Sequence, residues 1–186
     1  MVIVERHLRS NLNEALDAFR VAVLHGARQC GKTTLARLVM EERKGSYTTL
    51  DDDATREAAL NDPITFLAEH PKPLAVDEVQ LGGDRLIRAV KQLVDVDPTP
   101  GRFLLTGSTN FLTVPTISES LAGRARILRL WPLSQAELAG RPPVANARGF
   151  GPPARVGPGG HTGGPEYMDR VFAVGYKNIG AQETEQ

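Results

Sequence analysis

The chain has 186 residues, 41% of them apolar and 24% charged, which suits one globular domain with a core of its own. Lys+Arg and Asp+Glu both number 22, so a uniformly basic nucleic-acid coat and an acidic tail are excluded, while a local basic patch is not. Cys30 is the single cysteine, so no intrachain disulfide can form and a reducing compartment is expected. Glu5, Arg6 and Arg9 put charges where a signal peptide needs its apolar run, and no apolar run approaches the ~18 residues of a membrane span. The expectation is a cytoplasmic protein with no membrane partner.

Apolar β-rich runs then alternate with helical patterns, which predicts an α/β fold with a parallel sheet flanked by crossover helices. Val21–His25 reads as a buried strand, and Leu35, Leu38 and Val39 place a helix over 32–43. Ser46–Leu50 is a second strand, closed by Asp51, Asp52 and Asp53, which read as a strand exit and helix cap. Asp62-Pro63 is an N-cap with proline at the first helical position. A third strand covers Pro73–Val76. Leu86, Ile87, Val90, Leu93 and Val94 form one helical stripe, stopped by Asp97-Pro98-Thr99-Pro100-Gly101. Arg102–Leu105 and Ile127–Trp131 complete the strands, with Trp131 read as a packing residue.

Composition changes near residue 140. Between Arg141 and Pro165, seven glycines and six prolines fill 13 of 25 positions, leaving little apolar surface to offset the entropy of ordering. The expected organisation is a folded domain over 1–140 and a disordered or aberrant tail over 141–186, whose last part carries a short apolar patch at Val171, Phe172, Val174 and Tyr176.

The strongest chemical signal is Gly26-Ala27-Arg28-Gln29-Cys30-Gly31-Lys32-Thr33, followed by Thr34, which fits the pattern G-x-x-x-x-G-K-S/T between a strand and an amphipathic helix. Its glycines let backbone N–H groups curl around a phosphate, and the helix N-terminus adds unpaired donors and a favourable dipole. Lys32 is expected to reach the β- and γ-phosphates and the Thr33 hydroxyl to join a Mg²⁺ shell. The bland alternative is a glycine turn with a chance Lys-Thr.

Pro73-Leu-Ala-Val-Asp77-Glu78 is an apolar strand ending in two carboxylates. Asp77 is expected to hold the Mg²⁺ water shell. Glu78, pointing the other way in an extended chain, would orient and polarise an attacking water. A solvent-facing acid pair is the alternative. Phe103-Leu-Leu-Thr106-Gly-Ser108-Thr-Asn110 is a strand running into small polar residues that could bond a γ-phosphate or lytic water, or simply build a turn. Of Arg124, Arg126 and Arg129, one could stabilise transition-state charge in the same or a neighbouring subunit, and a solvated or nucleic-acid-facing edge reads equally well. Cys30, at a variable loop position, could make the site sensitive to alkylation but has no base partner for catalysis. His7, His25, His70 and His161 show no metal-ligand spacing.

Taken in order, G-A-R-Q-C-G-K-T-T-L, V-D-E-V-Q, L-L-T-G-S and S-L-A-G-R resemble a family of prokaryotic AAA-type P-loop ATPases over residues 1–140. Gln29, Gln80 and Leu121–Arg124 carry much of that likeness. The resemblance implies that residues 26–34 bind ATP, that Thr33 and Asp77 serve the metal, and that Lys32, Glu78, Ser108 and Arg124 form the catalytic set. Ser108 takes the polar-sensor position and Arg124 the family's arginine position. It further implies a homo-oligomer or partner protein. Nucleic acid is possible, though the neutral charge gives it no support. After Trp131–Leu138 family members continue into further folded sequence, and this chain turns into its Gly/Pro-rich tail, as a frameshifted or truncated product would. The expected activity is Mg-dependent ATP hydrolysis driving a conformational change. A small P-loop kinase and a nucleotide-binding remnant without turnover are the alternatives.

Overall fold

The computed structural model describes residues 3–108 and 120–142. All of them belong to one compact unit, Met1–Pro143. Five strands, β1 (Val21–Gly26), β2 (Ser46–Thr49), β3 (Leu74–Asp77), β4 (Phe103–Ser108) and β5 (Ala125–Leu130), form one sheet in the order β2-β3-β4-β1-β5. Every pairing is parallel, as the alternation of strand and helix patterns predicts.

A parallel sheet covered on both faces needs strands that are apolar on both faces, and β1 is buried at all six positions. Its alternate residues feed two separate cores. Val21 and Val23 join Leu74, Val76, Phe103 and Leu105 beneath α3 (Asp53–Asn61), α4 (Pro63–Glu69) and α5 (Gly83–Val96). Ala22 and Leu24 join Ala75 and Leu104 beneath α1 (Leu8–Ala18) and α2 (Lys32–Glu42). Each fully buried Leu, Val or Phe contributes about 1.5–3 kcal/mol by leaving water, so these two layers fix which face each strand residue presents.

The helix starts follow local chemistry. Asp52 caps α3 by accepting from the Thr55 N–H at 2.8 Å, and Asp62 caps α4 by accepting from the Thr65 N–H at 3.1 Å, with Pro63 in the first turn. The sequence reading holds for the acidic strand exit and for the Asp-Pro start. It passes over α1, α3 as a helix, and the short α6 (Gln135–Leu138).

Two details differ from expectation. Strand β5 starts at Ala125, two residues early, and ends at Leu130. Trp131 is therefore beyond the strand and 52% exposed, with the Arg129 guanidinium stacked 3.8 Å from its ring centroid, so it is a surface cation–π partner and not a packing residue. Thr109 and Asn110, and the tail apart from Arg141 and Pro142, lie outside the described residues. No helix among the described residues is long and apolar enough to cross a membrane.

Candidate functional site: a phosphate loop facing a buried aspartate

In a parallel sheet the carboxyl ends of all strands lie along one edge, and here β1, β3 and β4 bring Gly26, Asp77 and Ser108 to it. Gly26 sits opposite Ser108 in the β1–β4 register. The loop from Gly26 to Gly31 then turns back into α2. A Cβ at Gly26 would lie 2.3 Å from the Leu130 carbonyl oxygen and 2.9 Å from Cys30 Sγ, so the first glycine is demanded by packing against β5. Gly26→Ala is expected to destabilise the fold by about 1–3 kcal/mol, as overpacked cores do, read as a lower urea midpoint with unchanged slope.

Gly31 is the N-cap of α2 at φ 95°, a left-handed conformation that costs glycine little. Gln29 also takes a positive φ of 61°, unusual for a side-chain-bearing residue and a sign of a loop shaped by its surroundings. Ala27, Arg28 and Gln29 face solvent, as do Thr33 and Thr34 on the first turn of α2. Lys32 is buried, and its ammonium donates to the Gly26 carbonyl at 3.1 Å and the Ala27 carbonyl at 2.8 Å. Cys30 is buried in the α1–α2 core, so its thiol is shielded rather than presented to alkylating reagents.

Asp77, at the end of β3 and 2% exposed, is the centre of the site. Its Oδ2 accepts from the Thr33 hydroxyl and from the Tyr47 hydroxyl, each at 2.7 Å. Its Oδ1 accepts from the Thr106 hydroxyl and, at 3.1 Å, from the Glu78 N–H. Burial pushes this carboxyl up, but the four donors together outweigh it and hold Asp77 below the usual carboxylate range. Thr33 and Asp77 thus offer paired hard oxygens, one of them anionic. That donor set fits Mg²⁺, which takes few protein ligands and completes its octahedron with water and phosphate oxygens. Among the described residues no group of three His, Cys, Asp or Glu could hold a metal alone.

Glu78 departs from the extended geometry assumed from sequence. Its backbone is left-handed, φ 53° and ψ 43°, where the chain leaves β3 for a 3-10 turn at Val79–Gly82. Its Oε2 accepts from the Gln80 side-chain amide. His25, on β1 below the loop, is pushed down to about 4 by burial and then by the cationic Arg129 and Lys32, so it is neutral at physiological pH.

Arg124 is not brought to this constellation. Its carbonyl accepts from the Val21 N–H at the start of β1, a full strand from the loop, or about 20 Å at 3.3 Å per residue. Its guanidinium grips Asp95 through Nε at 2.5 Å and Nη2 at 3.0 Å. A role for Arg124 within its own chain's site is therefore corrected by strand direction.

Two contributors were missed from sequence. Tyr47 on β2 reaches Asp77 only because β2 neighbours β3, and its ring carries the Arg37 guanidinium 4.1 Å from its centroid. Arg6, before α1, is buried and donates to the loop at the Cys30 carbonyl, 2.5 Å away, as well as to the Trp131 carbonyl at 2.5 Å and Glu137 Oε1 at 3.1 Å. The spacing of a buried Arg and Glu 131 residues apart carries no local signal.

A parallel sheet with a glycine loop running from β1 into a helix, and a lysine and threonine at that helix start facing a strand-end aspartate, defines a P-loop nucleotide-binding ATPase. A family model described as AAA domain matches residues 18–139, and the chain belongs to that family. Uncharacterized protein Rv2008c of Mycobacterium tuberculosis and uncharacterized protein Mb2031c of Mycobacterium bovis are each 38% identical to it over 132 residues, or 70% of this chain. The chain spans 29% of the length of these curated relatives. A crystal structure of a DNA replication initiation factor shares the fold at 18% identity and a TM-score of 0.51, covering 69% of this chain and 47% of that one.

Proposed function

We propose that residues 1–140 form a Mg²⁺-dependent ATPase domain that hydrolyses ATP to ADP and phosphate and uses the cycle to drive a conformational change in the cytoplasm. The observation that carries this reading is the Thr33 hydroxyl set on the buried, ionised Asp77 at the mouth of the phosphate loop. A divalent cation held there would neutralise phosphate charge. In this reading Lys32 exchanges the carbonyls of Gly26 and Ala27 for phosphate oxygens, and the N–H groups of residues 26–34 cradle the phosphates. Glu78, oriented by Gln80, takes a proton from the attacking water, and Ser108 at the end of β4 senses the γ-phosphate. An open cavity of about 270 Å³ beside the loop, with apolar walls at Ile3, Val4, Leu35, Leu38 and Leu133, is the place for the base. Arg124, at the opposite sheet edge, can serve a phosphate only in a neighbouring copy, so this assignment requires a homo-oligomer.

Thermal unfolding of the full chain with and without Mg-ATP tests the reading. Ligand at about 100 times its Kd should add about 2.7 kcal/mol of stability, and Lys32→Ala should remove the shift. An equal shift in wild type and variant, or none in either, would overturn it. A shift without phosphate release would leave a nucleotide-binding protein that does not turn over.

A further inference from the structure

A carboxylate offers about four lone-pair positions, two on each oxygen. In Asp77 all four are occupied by protein donors: Thr33 and Tyr47 on Oδ2, Thr106 and the Glu78 N–H on Oδ1. A carboxylate in that state has no acceptor site to give to the water shell of a divalent cation unless one donor lets go.

The four donors differ in how easily they can do so. The Glu78 N–H is backbone, fixed by the left-handed turn that ends β3. Thr106 is fully buried inside β4, where no water can replace Asp77 as partner of its hydroxyl without a cost. Thr33 can keep donating its proton to Asp77 while its oxygen joins the cation. Tyr47 is different on each count. It stands on β2, an edge strand, and is half-buried, so water can replace Asp77 as partner of its hydroxyl. Its ring packs against the core beneath α1 and α2 and lies under the Arg37 guanidinium, which also bonds the hydroxyl, so the hydroxyl can give up Asp77 without the side chain leaving its place.

We propose that the Tyr47 hydroxyl is a built-in competitor for Asp77, which sets how much divalent cation the site requires by occupying the Oδ2 position that a metal-bound water would use. The inference rests on the reading of Thr33 and Asp77 as the metal side of the nucleotide site. It makes Tyr47 a positioning residue that acts through Asp77, and it predicts an unusual sign: removing a hydrogen bond improves binding of the cation.

The test is thermal unfolding of the full chain at fixed saturating ADP while MgCl₂ is varied, for wild type, Tyr47→Phe and Tyr47→Leu. Both variants remove the hydroxyl, and only the first keeps the ring over which Arg37 stacks. The Mg²⁺ concentration giving half of the metal-dependent shift should fall about tenfold in both, the scale of one hydrogen bond to a charged group. An unchanged or higher midpoint overturns the competition, including the case in which the variants simply melt earlier at every Mg²⁺ concentration, as loss of a purely structural bond would produce. Failure of the wild type itself to show any Mg²⁺-dependent shift would instead remove the site assignment, and this inference with it.

Discussion

Glu78→Gln is expected to slow phosphate release about 100- to 10,000-fold, the range a positioned general base supplies, while the stabilisation by Mg-ATP survives. Glutamine keeps the shape and the oxygen that accepts from Gln80, and it keeps the Glu78 N–H that donates to Asp77 Oδ1 at 3.1 Å. It loses the negative charge and one acceptor oxygen, and with them the capacity to take a proton. The left-handed backbone at Glu78 supports this separation, because the residue turns out of β3 just where Asp77 stays in, dividing one Asp-Glu pair between two tasks. Lys32→Ala gives the contrast, since it should lose binding and turnover together. Phosphate release and thermal shift, measured on the same preparations, separate the two patterns. A Glu78→Gln variant with wild-type turnover would mean that another group activates the water.

The parts of this site that were legible in the sequence are those made by neighbours along the chain. The loop from Gly26 to Thr34 is a strand, a turn and a helix start in succession, so its chemistry and geometry are written in one stretch. Asp77 was legible for a similar reason, as the end of an apolar run. Its surroundings were not, because Tyr47, Thr33 and Thr106 come from β2, α2 and β4 and meet only through the strand order β2-β3-β4. For the same reason the sequence left Arg124 open between its own subunit's site and a neighbour's, and only its grip on Asp95 and its bond to Val21 put it at the far end of the strands from the loop. Helix α1 went unread although Leu8, Leu12, Ala15 and Leu16 share a face, since His7 offers no side-chain cap to mark its start. Glu78 shows the limit of period-two reasoning, which fails at the residue where a strand ends.

Arg6→Ala is expected to cost about 3–5 kcal/mol, more than loss of an exposed ion pair, because it removes the cation paired with a buried carboxylate. Glu137 is 8% exposed and accepts at once from Arg6 Nε, from the His7 N–H at 2.9 Å and from the Ser134 N–H at 2.8 Å. Burial alone would push its carboxyl up. The N–H groups of Ser134 and His7, with the Arg6 guanidinium, outweigh it and lower Glu137 to about 2. Because the folded value lies below the unfolded one of 4.5, its contribution is present above pH ~4.5 and fades as pH falls toward 2. Arg6→Ala should therefore lower stability most near neutral pH and flatten the acid dependence in that window. The same guanidinium holds the Cys30 carbonyl of the phosphate loop and the Trp131 carbonyl beyond β5, so the loss should also loosen the nucleotide loop. Urea midpoints at pH 7 and pH 3, for wild type, Arg6→Ala, Glu137→Gln and the double variant, decide the matter. Coupling between the two changes at pH 7 that shrinks at pH 3 identifies the ion pair as the source, whereas additive losses would assign the stability to the carbonyl bonds of Arg6 alone.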